Sequence, residues 1–258
     1  MARRHHRPQA TIGFAALCGL SADELAEKFA GPAREVASWL QSAARYGLVE
    51  AQTALGQILL DGRGVAQDPS AAVRWFTIAA DAGHPPAINM LGRCCELGWG
   101  LPADLARAAD CYRRSAEAGL DWGQYNFANV LLRGRGVSPD RGRALTLYRQ
   151  AAEQGHAKSI NMVGRFIEEG WAMPADPVTA VDWYRRAAEA GDFRAQYNLA
   201  SVLALSGALG EAEAWLLRAM EGATTGFLAL MGQRLGGSEE PRLRRLGAIA
   251  ADRANAVA

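Results

Sequence analysis

The sequence has little of the charge imbalance that attracts polyanions. Its 258 residues include 28 basic and 27 acidic side chains, which gives a net charge of +1. Lysine is almost absent, being found only at Lys28 and Lys158. Without an excess of one sign the chain has no long-range attraction for nucleic acid or for an anionic membrane surface. We therefore expect no nucleic-acid partner.

A long apolar run is also missing. No segment reaches the roughly 18 apolar residues that cross a bilayer, so we expect no membrane insertion. A basic start precedes a short apolar stretch at residues 12–20, as in a secretory signal, but no A-x-A cleavage pattern follows. Residues 21–24 favour a capping box that opens a helix. We predict a flexible basic N-terminus at 1–20 and a cytoplasmic protein, with the periplasm as the alternative.

Cysteine is scarce and irregularly spaced. The four cysteines form neither a C-x-x-C pair nor one pair per structural unit: Cys18, Cys94, Cys95 and Cys111. This pattern favours free thiols in a reducing compartment. The histidines are not grouped with carboxylates, so the sequence predicts no metal site and no cofactor.

Glycine, by contrast, recurs at a fixed spacing along most of the chain. The recurring column consists of Gly47, Gly83, Gly119, Gly155 and Gly191. A 36-residue period of this kind is typical of helical-repeat proteins. It divides the chain into four full units at 48–83, 84–119, 120–155 and 156–191. A fifth unit at 192–222 is four residues shorter in its inner turn.

Each unit has the pattern of two helices. In the first unit Ala51, Leu55 and Ile58 fall on one face of a first helix. Residues 62–65 are rich in glycine and end that helix, and Asp68 followed by Pro69 is a typical start of a second. One such pair cannot bury its apolar face alone, so consecutive pairs must stack. The sequence predicts an all-α fold, a right-handed superhelical solenoid of stacked antiparallel helix pairs.

The ends of the array depart from the repeat. We expect capping helices at 21–47, where Trp39 precedes Trp75 by one full period. Residues 223–258 are interpreted as a partial repeat followed by a C-terminal capping helix over 241–256. Atypical ends of this kind are common where a solenoid meets solvent.

The recurring columns resemble the Sel-one-like repeat, a relative of the tetratricopeptide repeat. The first unit carries the pattern at Ala51, Leu55, Gly56, Gly62, Gly64, Val65, Asp68, Ala72, Trp75, Phe76, Ala79, Ala80 and Gly83. The resemblance covers about residues 33–235, with small-for-small departures such as Ala128 and Ala172. It implies an adaptor that binds other proteins.

No pattern of catalytic residues stands out. The Gly-Arg-Gly-Val segments at 62–65 and 134–137 follow helices and lack the residues of a phosphate-binding loop, so they are interpreted as turns. The repeated aspartates are explained as helix caps. We predict that the chain is not an enzyme.

A second period, twice as long as the glycine period, suggests a binding surface. The second and fourth units are near copies, and so are parts of the third and fifth. In tetratricopeptide arrays the first helices line a concave groove, and by that resemblance a protein or peptide would meet the polar columns there. The predicted groove residues are Asn89, Arg93, Trp122, Tyr125, Asn129, Asn161, Arg165 and Tyr197.

Two alternatives remain open at this stage. The same columns would also suit a structural ladder of Tyr and Asn between neighbouring units, with Arg93 and Glu96, or Arg165 and Glu168, as surface ion pairs. For the whole chain, a self-assembling structural module or a hydrolase of the repeat family are the alternatives to an adaptor.

Overall fold

A computed structural model describes residues 30–256 as thirteen helices joined by short turns, without strands. The helices are α1 (Ala33–Arg45), α2 (Val49–Asp61), α3 (Pro69–Asp81), α4 (Pro85–Leu97), α5 (Leu105–Glu117), α6 (Asp121–Arg133), α7 (Arg141–Glu153), α8 (Ala157–Glu169), α9 (Pro177–Glu189), α10 (Phe193–Leu205), α11 (Leu209–Gly222), α12 (Thr225–Gly236) and α13 (Pro241–Ala256). The predicted N-terminal segment, the capping box and Cys18 lie outside the described residues.

The chain divides into two compact units, residues 1–139 and 140–258. In its described part unit 1 holds α1–α6, and unit 2 holds α7–α13. Within each unit a helix packs on the next helix in the chain, as expected for stacked helix pairs, except that α11 packs on α13 and not on α12. The fold class predicted from the sequence, an all-α solenoid of antiparallel helix pairs with a regular period, is confirmed.

The second helix of each complete repeat begins at the predicted aspartate. Asp68 and Asp104 each accept a hydrogen bond from the backbone N–H three residues later, at 2.8 and 2.9 Å. Asp140 and Asp176 do the same for α7 and α9. A cap of this kind typically contributes about 1 kcal/mol, because it satisfies an N–H that the helix leaves open. The aspartate column is therefore structural.

Small residues let the two helices of a pair approach closely. A Cβ on Gly92 would stand 2.8 Å from the Tyr112 ring, and one on Gly164 would stand 2.9 Å from the Tyr184 ring. Both tyrosine rings are fully buried, which contributes about 2–3 kcal/mol for a side chain of that size. The glycine and aromatic columns are thus one packing unit: the missing side chain on the first helix makes room for the ring on the second.

The turn inside a repeat rests on the repeat before it. Gly100 has φ of 74°, and a Cβ there would stand 2.2 Å from the carbonyl oxygen of Pro69. A glycine is needed at this position on both counts, since the conformation disfavours other residues and the approach excludes a methyl group. Gly64 and Gly136 make the same approach to α1 and α5 in unit 1.

Two further helices follow the fifth repeat in unit 2. Helix α12 is capped by Thr224, whose side chain accepts from the Phe227 N–H, and α13 spans Pro241–Ala256. Helix α10 ends at Leu205 and has Ser206 as its C-cap, where α8 has the left-handed Gly170. The short inner turn continues with Gly207, which stands two repeats after Arg135 and leaves the site described below without that side chain.

Candidate functional site

The eight predicted groove residues all lie on first helices of repeats. Helix α4 carries Asn89 and Arg93, α6 carries Trp122, Tyr125 and Asn129, α8 carries Asn161 and Arg165, and α10 carries Tyr197. Unit 1 thus holds five of them and unit 2 holds three. We call the surface of these helices within each unit its first-helix face.

Asn89 and Asn161 are buried, and each is hydrogen-bonded to an asparagine of the next first helix. Asn126 Nδ2 donates to Asn89 Oδ1 at 2.8 Å, and Asn198 Nδ2 donates to Asn161 Oδ1 at 2.9 Å. Asn89 and Asn161 are only 6% and 4% exposed. Buried amides need such partners, so the structural ladder accounts for these two side chains. A role for them in binding stays a prediction.

Tyr197 lies inside an aromatic cluster of unit 2. It is 7% exposed, and its ring meets Phe227 edge-on with the centroids 5.6 Å apart. Phe193 also packs edge-on against the same phenylalanine, with the ring centroids 5.0 Å apart. Phe227 comes from the partial repeat and covers the Tyr197 ring. The sequence pattern of the fifth repeat alone predicts that ring on an open face. Tyr197 is therefore a packing residue, and its contact with a partner stays a prediction.

The carboxylates of the second and fourth repeats are hydrogen-bonded to buried tyrosines. Tyr112 OH donates to Glu96 Oε2 at 2.8 Å, and Tyr184 OH donates to Glu168 Oε2. Burial, together with the nearby carboxylate, raises the pKa of Tyr112 and of Tyr184 far above the usual value. Both hydroxyls therefore remain protonated donors and hold each carboxylate at the edge of the face.

The ion pairs expected within a helix do not form. Glu96 makes its salt bridge with Arg135, whose Nη1 lies 3.1 Å from Glu96 Oε1, and not with Arg93. Arg93 instead stacks on Trp99, with Cζ 5.1 Å from the ring centroid. Arg165 stacks in the same way on Trp171, at 5.0 Å. In both repeats the guanidinium lies over the tryptophan ring of the following turn and not beside the glutamate of its own helix.

These stacks present arginine in a defined orientation. A guanidinium that stacks on an indole ring typically keeps its in-plane N–H groups available at the edges. The polar contact of Arg93 within the described residues is a long one, 3.7 Å from Nη1 to Met90 Sδ. Both arginines are partly buried. Each unit thus carries, at the equivalent position of a first helix, an arginine that is held on the tryptophan of the following turn and can donate to an oxygen acceptor.

A small cavity opens on the first-helix face of unit 1 beside Tyr125. It measures about 200 Å³ and is lined by Glu96, Tyr125, Asn126, Asn129, Val130, Arg133 and Arg135. The ring of Tyr125 stands edge-on to Trp122, which is 44% exposed. Asn129 Nδ2 donates to the Tyr125 carbonyl oxygen at 2.9 Å, which orients the amide. Tyr125, Trp122 and Asn129 are the predicted residues that the structure brings together.

Turn residues that contribute to these sites were not among the predicted groove residues: Trp99 and Arg135 in unit 1, and Trp171 in unit 2. The sequence did hold a signal, since the turn columns alternate between Arg and Trp from one repeat to the next. What the alternation does not reveal is that the turn folds back over the first helix, which places Trp99 on Arg93.

Two of the cysteines are held as unreactive thiols. Cys94 and Cys111 are buried thiols, and burial raises the pKa of each to about 11. Thiols in such surroundings stay protonated near neutral pH and are poor nucleophiles. Among residues 30–256 there is no group of three or more metal-ligating side chains. Over the same range no helix has both the length and the apolar content to cross a membrane.

Comparison with known proteins identifies the repeat. The model of the Sel1 repeat matches four times, at residues 49–84, 85–120, 123–156 and 157–192. No functionally curated protein matches the chain.

Several solved structures share the fold. The chain is similar to a Sel1 repeat protein from Oxalobacter formigenes, with a TM-score of 0.77 and 24% identity over 90% of this chain and 100% of that one. It is also similar to a protective antigen of uropathogenic Escherichia coli that displays an SLR fold. That match has a TM-score of 0.68 and 29% identity over 94% of this chain, and it spans 55% of the antigen. An immunity protein from Pseudomonas aeruginosa matches with a TM-score of 0.56 and 16% identity, over 82% of each chain.

Proposed function

We propose that this chain, which belongs to the Sel1 repeat family, is a non-catalytic adaptor that binds a protein or peptide on its first-helix faces. Helical solenoids of this family are generally protein-interaction modules. The proposal adds which surface binds and by what chemistry.

The oriented arginines carry the proposal. Arg93 and Arg165 occupy equivalent positions two repeats apart, and each is held on a tryptophan that a turn supplies. A tryptophan on each arginine restricts its rotamers before binding, which lowers the entropy lost when a ligand is bound. The exposed N–H edges suit a carboxylate or a backbone carbonyl, the acceptors that an extended peptide offers.

The unit 1 cavity supports the same function. Tyr125 and Trp122 present rigid aromatic area, and Asn129 lines the cavity beside them. Aromatic and arginine side chains are the residues that most often dominate protein interfaces. A peptide held by Arg93 has an apolar anchor on the adjacent first helix of the same unit.

The experiment begins with affinity purification from source cells and identification of the captured protein. The purified partner is then titrated against the wild type and the Arg93→Ala, Arg165→Ala double variant. We expect the double variant to bind at least about 30-fold more weakly, since truncating an interface arginine typically costs about 2 kcal/mol. Arg74→Ala, Arg149→Ala is the matched control, because both residues are exposed on second helices.

Unfolding midpoints of all the variants complete the test. Equal affinity of the two double variants, or a loss of stability that parallels the loss of affinity, would show that the stacks are structural. Growth in molecular mass with protein concentration and without a partner would favour the self-assembling module. Hydrolytic turnover by the purified chain would favour the enzyme.

We also propose that the protein acts in the cytoplasm. The support is the state of its cysteines: Cys94, Cys95 and Cys111 are free and buried in unit 1, as suits a reducing compartment.

A further inference from the structure

Units 1 and 2 contain the same carboxylate site with one difference. In unit 1 both oxygens of Glu96 are used: Oε2 accepts from Tyr112 OH, and Oε1 pairs with Arg135 Nη1 at 3.1 Å. The arginine comes from the turn after the next first helix. This site is complete within the chain.

In unit 2 the arginine is missing. Glu168, the counterpart of Glu96 two repeats later, accepts from Tyr184 OH on Oε2, and within the described residues Oε1 has no hydrogen-bond partner. Counting two repeats on from Arg135 leads to Gly207, in the shortened turn of the fifth repeat. Arg165 is engaged with Trp171. Oε1 of the half-buried Glu168 is therefore open to a hydrogen-bond donor, whereas Oε1 of Glu96 is paired with a guanidinium.

The surface next to Glu168 has changed as well. The Asn161–Asn198 hydrogen bond sets α8 and α10 level with each other. Two helical turns further along each helix lie Glu168 and Leu205. The same count from the Asn89–Asn126 bond of unit 1 leads to Glu96 and Arg133, which line one cavity. Leu205 thus stands where unit 1 has its second arginine.

Leu205 opens onto a cavity of about 660 Å³ with a mixed lining, and its side chain is 90% exposed. Leucines form one part of the wall, and charged or polar side chains form another: Leu209, Leu216, Leu235 and Leu243, and Ser201, Arg234, Ser238, Glu239 and Glu240. The exposed leucine beside the leucine part of the wall is an apolar surface that an apolar side chain can cover. Unit 2 therefore combines a carboxylate without a cation among the described residues with a neighbouring, partly apolar cavity.

We propose that Glu168 and Leu205 form a subsite for an arginine side chain of the protein partner, with an apolar partner residue next to that arginine. Unit 1 supplies the argument for arginine, since a guanidinium fills the equivalent acceptor position on Glu96. The apolar neighbour of the arginine would cover Leu205 and enter its cavity. The inference rests on the proposed function for the existence of a protein partner, but its chemistry can be tested without that partner.

The probe is the capped tripeptide acetyl-Leu-Arg-Leu-amide, titrated into the ¹⁵N-labelled chain and followed by NMR. We expect saturable shifts at the amides around Glu168 and Leu205. Glu168→Gln should weaken binding by at least about fivefold, because the ion pair with the guanidinium is replaced by a hydrogen bond to an uncharged amide oxygen. The variant keeps an oxygen that accepts from Tyr184 OH. Replacing the probe arginine with citrulline, its neutral isostere, should weaken binding to a similar degree.

Glu96→Gln is the matched control, because Arg135 already fills that site, and it should leave probe binding unchanged. Leu205→Arg is a second variant that leaves Glu168 and Tyr184 in place, and it should abolish binding, because it removes the apolar contact and puts a positive charge next to the arginine of the probe. Equal affinity of the arginine and citrulline peptides would indicate apolar capture only and overturn the proposal. Shifts located elsewhere, or undiminished binding to Glu168→Gln, would also overturn it.

The outcomes separate this inference from the proposed function. In one outcome, probe binding depends on Glu168 but the Arg93 and Arg165 substitutions leave partner affinity unchanged. That result supports the subsite and contradicts the proposed recognition by the stacked arginines. A probe that fails, with partner affinity sensitive to those arginines, overturns the subsite alone.

Discussion

Three glycine-to-alanine substitutions add the same methyl group to three different environments. Gly83 has φ of 82° and open space around the position of a Cβ. Gly100 has φ of 74°, and its Cβ would stand 2.2 Å from the Pro69 carbonyl oxygen and 2.8 Å from the Ser70 nitrogen. Gly210 lies within α11, with nothing near its Cβ. The set separates backbone conformation from steric contact.

The expected free energies of unfolding differ in sign and size. Gly83→Ala should destabilise by about 1 kcal/mol, the cost of left-handed backbone for a residue with a Cβ. Gly100→Ala carries that cost and must also displace backbone of the preceding repeat, which adds about 1–3 kcal/mol. Gly210→Ala should be neutral or stabilise by up to about 1 kcal/mol, because alanine loses less conformational entropy in a helix.

Urea unfolding followed by circular dichroism measures the three differences. Hydrogen exchange then locates them: Gly100→Ala should raise exchange in α3 and α4, since its methyl group would press on the start of α3. Gly83→Ala should affect only the turn between the same two helices. The two substitutions should therefore differ in the number of helices affected as well as in the loss of stability.

Two results would refute this reasoning. If Gly83→Ala and Gly210→Ala changed stability equally, the left-handed backbone at Gly83 would carry no cost. If Gly100→Ala destabilised no more than Gly83→Ala, the approach of the turn to Pro69 would not be a steric constraint.

The remaining predictions concern pH and location. Burial raises the pKa of Asp192, so the folded state favours its protonated form, and ionisation costs stability as the pH rises above the ordinary carboxyl range. Asp192→Asn, which keeps the capping acceptor, should therefore be more stable relative to wild type at pH 7 than at pH 3; an unchanged difference would contradict this. Hydrogen bonds from Thr179 lower the pKa of Asp176, so its contribution is present above the ordinary carboxyl pKa and is lost as the pH falls. Asp176→Asn should accordingly lose stability relative to wild type at pH 7 and not in strong acid, as acid and neutral unfolding curves will show. Fractionation of source cells should recover the protein in the cytoplasm, and a mature N-terminus after residues 18–25 in the periplasm would contradict that location.

The helix pairs follow from local information in the sequence. Asp104 before α5 and the glycine at the end of α4 mark helix limits through contacts within a few residues. The Gly92 and Tyr112 columns lie on the two helices of one repeat, and their recurrence at a constant separation in several units reveals a packed pair. Repetition makes such contacts visible because each copy repeats the same spatial neighbours.

The site was only partly predictable. The doubled period selected Arg93 and Tyr125, which the structure places at an oriented stack and a cavity. It also selected Asn89 and Asn161, which are buried in the ladder. Polar residues that recur with the same period include both buried ladder residues and exposed binding candidates. Periodicity alone does not distinguish a side chain that is hydrogen-bonded in the interior from one that faces solvent.

Repeat length, helix limits and the all-α class are readable in the sequence, because each depends on capping, glycine turns and apolar spacing within a repeat. The tertiary structure was needed to show that Trp99 covers Arg93, that Phe227 covers Tyr197 and that Arg135 pairs with Glu96. These contacts depend on which turn or helix packs beside a given first helix. Leucine at the end of α10 and glycine in the turn after it replace two arginines of unit 1, so Glu168 has no counterpart of that ion pair among the described residues.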